Sequence, residues 1–312
     1  MIRIETLLTE QMLADEFVAA LRARRLDEKF FYWFPLSVRA WLALCSDGAY
    51  RNYVRSRSLV ASSAARLAEL AGPGPIEVLS LGAGQGDKDL LLLQALRERS
   101  APPSYVPVDT SQALLEIACQ AALGSRFPAL GVKADFARPD HLAALAPDPE
   151  TPRRLVLMLG NTLGAFDPRA QVRALAALLR PGDLLLLDGE LYAGRTTVAG
   201  YDNPINRRFA WAPLESVGIR EADGEIIFED TTDPRLPGVH PLAKHFRASR
   251  DCAAITGGET LVIAAGERLA MNHSGKYDRE AFLGLLADAG LAVRRQDTSD
   301  DDRFLMVLAS RA

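Results

Sequence analysis

Cysteine is scarce: Cys45, Cys119 and Cys252 are an odd number, far apart in 312 residues. That excludes a disulfide framework and predicts three small buried residues in a reducing cytosol. The four histidines are scattered and no Cys or His pair has ligand spacing, so no metal site is expected. Long apolar runs are missing as well. The longest, such as Leu184–Leu187, are strand-sized against the ~20 residues of a bilayer crossing. Met1 to Glu10 lacks the basic start and apolar stretch of an export signal. A cytoplasmic location with no membrane partner is therefore expected. Positive charge is not in excess: 36 Lys+Arg face 40 Asp+Glu, a net charge of -4. Without a domain-wide positive field, nucleic acid is not an expected partner. No G-x-S-x-G elbow supports hydrolase chemistry.

What remains is a globular composition, with 48% apolar and 24% charged residues, long enough for one large or two small domains. Residues 1–71 read as a helical segment, with Leu13, Phe17 and Leu21 at i, i+4, i+8 and a second stripe ending at Gly72-Pro73-Gly74-Pro75. Over 72–192 the pattern becomes strand, turn, helix, repeated: Ile76–Leu81 before Asp89–Leu96, Tyr105–Val108 before 111–122, Leu155–Leu159 before 168–179, then Leu184–Leu187. Continuous apolar strands between amphipathic helices imply a doubly wound (Rossmann-like) α/β sheet. Residues 193–277 alternate apolar and polar over 225–230, 242–250 and 259–271, which predicts a smaller inserted antiparallel sheet. Residues 278–312 supply a last helix, 278–289, and an antiparallel pair over 291–295 and 304–309, with a solvated acidic turn at Asp297–Asp302.

Three features fall at the ends of successive strands. Ser80-Leu81-Gly82-Ala83-Gly84-Gln85-Gly86-Asp87-Lys88 lets a backbone approach a ligand and presents amides at a helix start. Asp87 stands where a dinucleotide fingerprint needs glycine, which disfavours a nicotinamide cofactor. Asp109 ends the second strand, where a carboxylate can take both hydrogen bonds of a ribose diol or cap the next helix. Asp135-Phe136 follows the third strand, where an acid and a ring can hold an amino-purine. By itself the aromatic cluster Phe30-Phe31-Tyr32-Trp33-Phe34 reads as core or a helix-packing patch, and Asn161 as a strand-end turn residue.

The G-x-G-x-G spacing resembles the first loop of class I S-adenosylmethionine-dependent methyltransferases. Phe30-Phe31-Tyr32, Gly82 through Lys88, Tyr105 through Ser111, Leu159-Gly160-Asn161-Thr162-Leu163-Gly164, Tyr201-Asp202 and Ser274-Gly275-Lys276-Tyr277 resemble, more narrowly, the histidine-specific α-N-methyltransferases of ergothioneine biosynthesis, over nearly the whole chain. The resemblance implies S-adenosylmethionine held at Gly82, Gly84, Gly86, Lys88, Asp109 and Asp135-Phe136. It also implies an acceptor pocket of Tyr32, Tyr53, Asn161, Tyr201, Asn272 and Ser274, with Tyr50 competing for the place of Tyr53. Tyr201, Asn161 and Tyr32 are the implied catalytic set.

Departures limit what carries over. Ala165 stands where the family has the asparagine that holds its amino acid. Asn272-His273-Ser274 replaces a Glu-x-Ser pair that grips imidazole, and Ser80 replaces an acid. Neutral Asn272 cannot supply a glutamate's charge. The expected function is thus N-methylation of a small amine or amino acid other than histidine. Two alternatives stay open: cyclisation of S-adenosylmethionine to azetidine-2-carboxylate with release of methylthioadenosine, and a non-catalytic S-adenosylmethionine-binding protein.

Overall fold

The computed structural model describes residues 1–99 and 102–312. Ahead of the Gly72 breaker lie β1 (Ile4–Thr6), α1 (Glu10–Arg22), a one-turn 3-10 helix (Glu28–Phe31), α2 (Pro35–Ser46) and α3 (Arg51–Ala71). The alternating region contains β2 (Ile76–Leu81), α4 (Asp87–Arg97), β3 (Ser104–Asp109), α5 (Gln112–Gly124), β4 (Gly131–Lys133), α6 (Pro139–Ala144), β5 (Arg153–Met158), α7 (Pro168–Leu178) and β6 (Leu184–Glu190). Then follow α8 (Arg195–Tyr201), α9 (Pro204–Glu215), β7 (Gly224–Asp230), β8 (Val239–Ala248), β9 (Cys252–Thr256), β10 (Glu259–Ile263), β11 (Arg268–Tyr277), α10 (Arg279–Asp288), β12 (Leu291–Thr298) and β13 (Phe304–Arg311).

The main sheet has the order β1-β4-β3-β2-β5-β6-β13-β12, parallel from β1 to β6, with β13 and β12 antiparallel. From β2 the chain moves outward through β3 and β4, then returns to β5 on the other flank. This places a topological switch at the carboxyl end of β2, where open α/β sheets bind ligands. One face packs Leu79, Leu81 and Val156 with residues of α6, α7 and α10. The other packs Val78, Tyr105 and Leu157 under α3 and α4. Burial on both faces explains why the middles of these strands are mostly apolar.

Local signals start several helices. Asp167 accepts from Ala170 N at 3.0 Å ahead of Pro168, and Thr9 caps α1 through Met12 N at 3.2 Å. Gly72, at φ +73°, ends α3.

Three expectations need correction. The first segment is not wholly helical, because β1 joins the sheet edge beside β4; three residues are too few to show a period. The insertion is not only strands: α8 and α9 precede it, and α9 buries Phe209, Trp211 and Leu214 although Pro213 interrupts its helical signature. The 259–271 stretch is two strands, β10 and β11, in separate sheets, β10-β9 and β11-β8-β7. The acidic turn is found between β12 and β13 with Asp300, Asp301 and Asp302 exposed, and Asp301 pairs there with Arg55 of α3 at 2.5 Å. A third apolar cluster joins Leu13, Phe17, Phe30 and Phe31 to Phe209, Trp211, Phe246 and Leu269, so the N-terminal segment and the insertion share a core. Among the described residues no helix is long and apolar enough to cross a membrane.

Candidate active site

A cavity of about 460 Å³ opens at the carboxyl ends of β2, β3 and β5. Its walls come from the glycine turn, Asp109, Asp135-Phe136 and the Gly160–Thr162 loop. The 3-10 turn, α2, α9, β8 and β11 close the far side.

At the sheet end, Gly82, Gly84 and Gly86 take φ of +71°, +57° and +74°, a backbone that side-chain-bearing residues avoid. A Cβ on Gly82 would stand 3.0 Å from Thr162 Cγ2, across the crevice. Asp109 Oδ2 accepts from Gly84 N at 2.9 Å and Oδ1 from Ser111 N at 3.0 Å, so the acid ties strand to turn. The helix cap of α5 is Ser111 itself. Burial pushes the Asp109 carboxyl above the usual carboxylate range, against the pull of the Ser111, Gly84 and Thr110 amides. Lys88 lies over the Tyr53 ring at 5.6 Å and makes no ion pair among the described residues. Asp135 Oδ2 accepts from Lys29 Nζ at 2.8 Å, and Phe136 packs on Phe166 at 5.3 Å between ring centroids. Carboxylate, free ammonium, glycine turn and aromatic wall together suit a nucleoside that carries an amino acid's charged groups.

The far end is polar and aromatic. Tyr201 is held by three partners: it donates to Glu190 Oε2 at 2.9 Å and accepts from Lys276 Nζ at 2.6 Å and Asn52 Nδ2 at 2.5 Å. Burial raises its phenol well above its ordinary value. Asn161, at φ +61°, turns its amide into the protein, donating to Ser274 Oγ at 3.1 Å and Gly275 O at 3.2 Å and accepting from Glu190 N at 2.9 Å. Ser274 Oγ also accepts from Lys276 Nζ at 2.8 Å. Asn161 and Ser274 thus brace the β5 loop against β11. The approach is tight: a Cβ on Gly164 would fall 2.7 Å from Gly275 O. Ala165 lines the cavity with its methyl group.

Tyr32 donates to Glu28 Oε1 at 2.7 Å, while Asn272 donates to Glu28 Oε2 at 2.5 Å and accepts from Lys244 Nζ at 3.0 Å. Tyr53 sits at the glycine-turn side, donating to Asp87 and accepting from Gln85 Nε2 at 2.7 Å. Tyr50 lines the cavity, and its hydroxyl has no hydrogen-bond partner among the described residues. Burial raises its phenol, with Cys45, Glu190, Glu28 and Asp188 adding to the rise.

Glu28, Lys29, Asn52, Glu190 and Lys244 were not singled out in the sequence, and Lys276 stood there only within the Ser274–Tyr277 motif. Most of their partners lie far along the chain, and burial is not visible in a lone residue.

The profile of the family described as "histidine-specific methyltransferase, SAM-dependent" matches residues 13–311. A histidine N-alpha-methyltransferase of Mycobacterium tuberculosis is 35% identical over 273 residues, 83% of this chain and 83% of that protein. Its namesake from Mycolicibacterium smegmatis is 33% identical over 259 residues, 78% of this chain and 77% of that protein. The N-methyltransferase fsqC of Aspergillus fumigatus is 25% identical over 229 residues, 68% of this chain and 60% of that protein. The chain belongs to the family of S-adenosylmethionine-dependent, histidine-specific methyltransferases and is an S-adenosylmethionine-dependent transferase.

Proposed function

We propose that the protein methylates the nitrogen of a small amine or amino acid other than histidine. The observation that carries this reading is one continuous cavity with nucleoside-binding chemistry at the sheet end and a tyrosine, asparagine and lysine wall at the other. Gly82, Gly84 and Gly86 give the backbone room, Asp109 takes the ribose hydroxyls, Lys88 meets a carboxylate, and Asp135 with Phe136 holds the adenine. S-adenosylmethionine, when bound, supplies an electrophilic methyl carbon on a sulfonium. The protein's part is then to orient a free amine and exclude water.

Tyr201 cannot swing, because its hydroxyl is fixed by Glu190, Lys276 and Asn52. Asn161 and Ser274 act by holding the loop that carries the site. Tyr50 offers an uncommitted hydroxyl to the acceptor. With their phenols pushed up by burial, Tyr50 and Tyr201 are not bases at neutral pH, and the amine must lose its proton before attack. Histidine is disfavoured because Asn272 is neutral and its amide is already committed to Glu28 and Lys244.

Incubation with S-adenosylmethionine, with and without a panel of amines, tests the reading by mass spectrometry. Adenosylhomocysteine and an N-methyl product formed only in the presence of an amine are expected. Methylthioadenosine released from S-adenosylmethionine alone would overturn the reading in favour of cyclisation.

A further inference from the structure

Among the described residues four cationic side chains are deeply buried: Lys133, Arg154, Lys244 and Lys276 are exposed by 2, 7, 6 and 0%. Three have a carboxylate. Lys276 pairs with Glu190 at 2.9 Å, Arg154 with Glu77 at 2.7 Å and Lys133 with Glu10. Lys244 makes no ion pair among the described residues, and of the four it alone lines the cavity. Its one hydrogen bond goes to Asn272 Oδ1 at 3.0 Å, which leaves two of three N–H donors unused. Burial draws it down to about 8, so it is still mostly protonated at neutral pH. A buried, half-bonded ammonium is a costly feature that a ligand can relieve.

The surroundings fix its aim. The rings of Phe31 and Phe209 lie 5.5 and 5.7 Å from Nζ and cover its flank. Glu28 is the nearest acid in the site, yet both its oxygens are occupied, one by Tyr32 and one by Asn272. The Glu28 bond turns the Asn272 amide so that its oxygen faces Lys244. The relay Tyr32–Glu28–Asn272–Lys244 therefore ends in an ammonium that meets the cavity.

We infer that the acceptor carries a carboxylate, and that Lys244 receives it as a specificity-determining residue. This rests on the proposed N-methyl transfer to an amine. The carboxylate is either the α-carboxylate of an amino acid or an acid on its side chain; both present the same anion to Lys244, and the two are separated by experiment.

Aspartate and glutamate are compared with asparagine, glutamine, isoasparagine and isoglutamine, each as acceptor and as ligand of the protein saturated with adenosylhomocysteine. Calorimetry reads binding and mass spectrometry reads methylation. The acid is expected to bind roughly ten- to a hundredfold more tightly than one of its amides. Loss in the side-chain amide assigns the side-chain acid, and loss in the α-amide assigns the α-carboxylate. Lys244→Met should erase the difference while binding of S-adenosylmethionine, the control for folding, stays within about twofold.

Amides that bind as well as the acids, or a preference that survives in Lys244→Met, would overturn the inference; the first comparison needs only the unaltered protein. Lys244-dependent binding without methylation would instead refute the transfer reading and leave this one standing. Methylation of neutral amines as readily as of acids would do the reverse.

Discussion

Asp109 works under two opposed demands. Burial raises its carboxyl above the ordinary range near 4 and so makes its charge costly in the free protein, whereas a ribose diol is held best by the ionised form. A raised folded-state value contributes stability that is present at low pH and lost as pH rises through it. Cofactor affinity runs the other way and falls as the solution is acidified. Calorimetric titration with S-adenosylmethionine across about pH 5 to 8 should show this fall begin above the usual carboxylate range. Asp109→Asn should flatten the profile and weaken binding about tenfold or more at neutral pH. An unchanged dissociation constant would remove Asp109 from the site. The two cavity tyrosines make a second contrast. Tyr50→Phe deletes a hydroxyl that bonds nothing in the fold, so the melting temperature should hold while the acceptor KM rises. Tyr201→Phe strips partners from Glu190, Lys276 and Asn52 and should cost roughly 1–3 kcal/mol of stability as well. Equal melting temperatures for the two variants would contradict the bonding described.

At the scale of elements, β11 is fastened to β6 by a buried ion pair, Lys276 with Glu190 at 2.9 Å. Burial works to raise the Glu190 carboxyl, but Lys276, Asn52 and Tyr201 together hold it below its ordinary value. Glu190→Gln leaves the Lys276 charge buried without a carboxylate, and breaking such a pair on one side costs about 3–5 kcal/mol. Urea unfolding should show that loss, and Glu190→Gln combined with Lys276→Met should recover much of it. If the single variant is as stable as the parent, the pair does not fasten the two sheets. The same elements show what was legible in the sequence. Ile76–Leu81 and the Gly72 stop are local signals, and each is found where it was read. α9 was hidden by Pro213 and β1 by its length of three residues. The turn glycines, Asp109 and Asp135 were visible because a strand end marks them. Glu190 and Lys244 were not, since their meaning comes from partners on other strands.

Across the whole molecule, the acceptor end of the cavity depends on the shared core of the N-terminal segment and the insertion. Phe17 is fully buried and meets Phe30 and Phe34 edge-on, each at 5.0 Å between ring centroids. Those rings flank the 3-10 turn whose Glu28 and Lys29 reach opposite ends of the cavity, Glu28 to Asn272 and Lys29 to Asp135. Phe17→Ala should therefore cost about 3–5 kcal/mol of stability. Its functional cost should be uneven. The glycine turn and Asp109 are set by the main sheet, so S-adenosylmethionine should lose only the Asp135 contribution that Lys29 organises. The acceptor pocket, by contrast, has Tyr32, Glu28 and Phe31 all on the disturbed side. Calorimetry on Phe17→Ala, at a temperature where circular dichroism still reports the folded protein, should find acceptor affinity reduced by a larger factor than cofactor affinity. Equal losses would mean that the two ends of the cavity rest on one cooperative unit, so that the N-terminal segment serves the nucleoside as much as the amine.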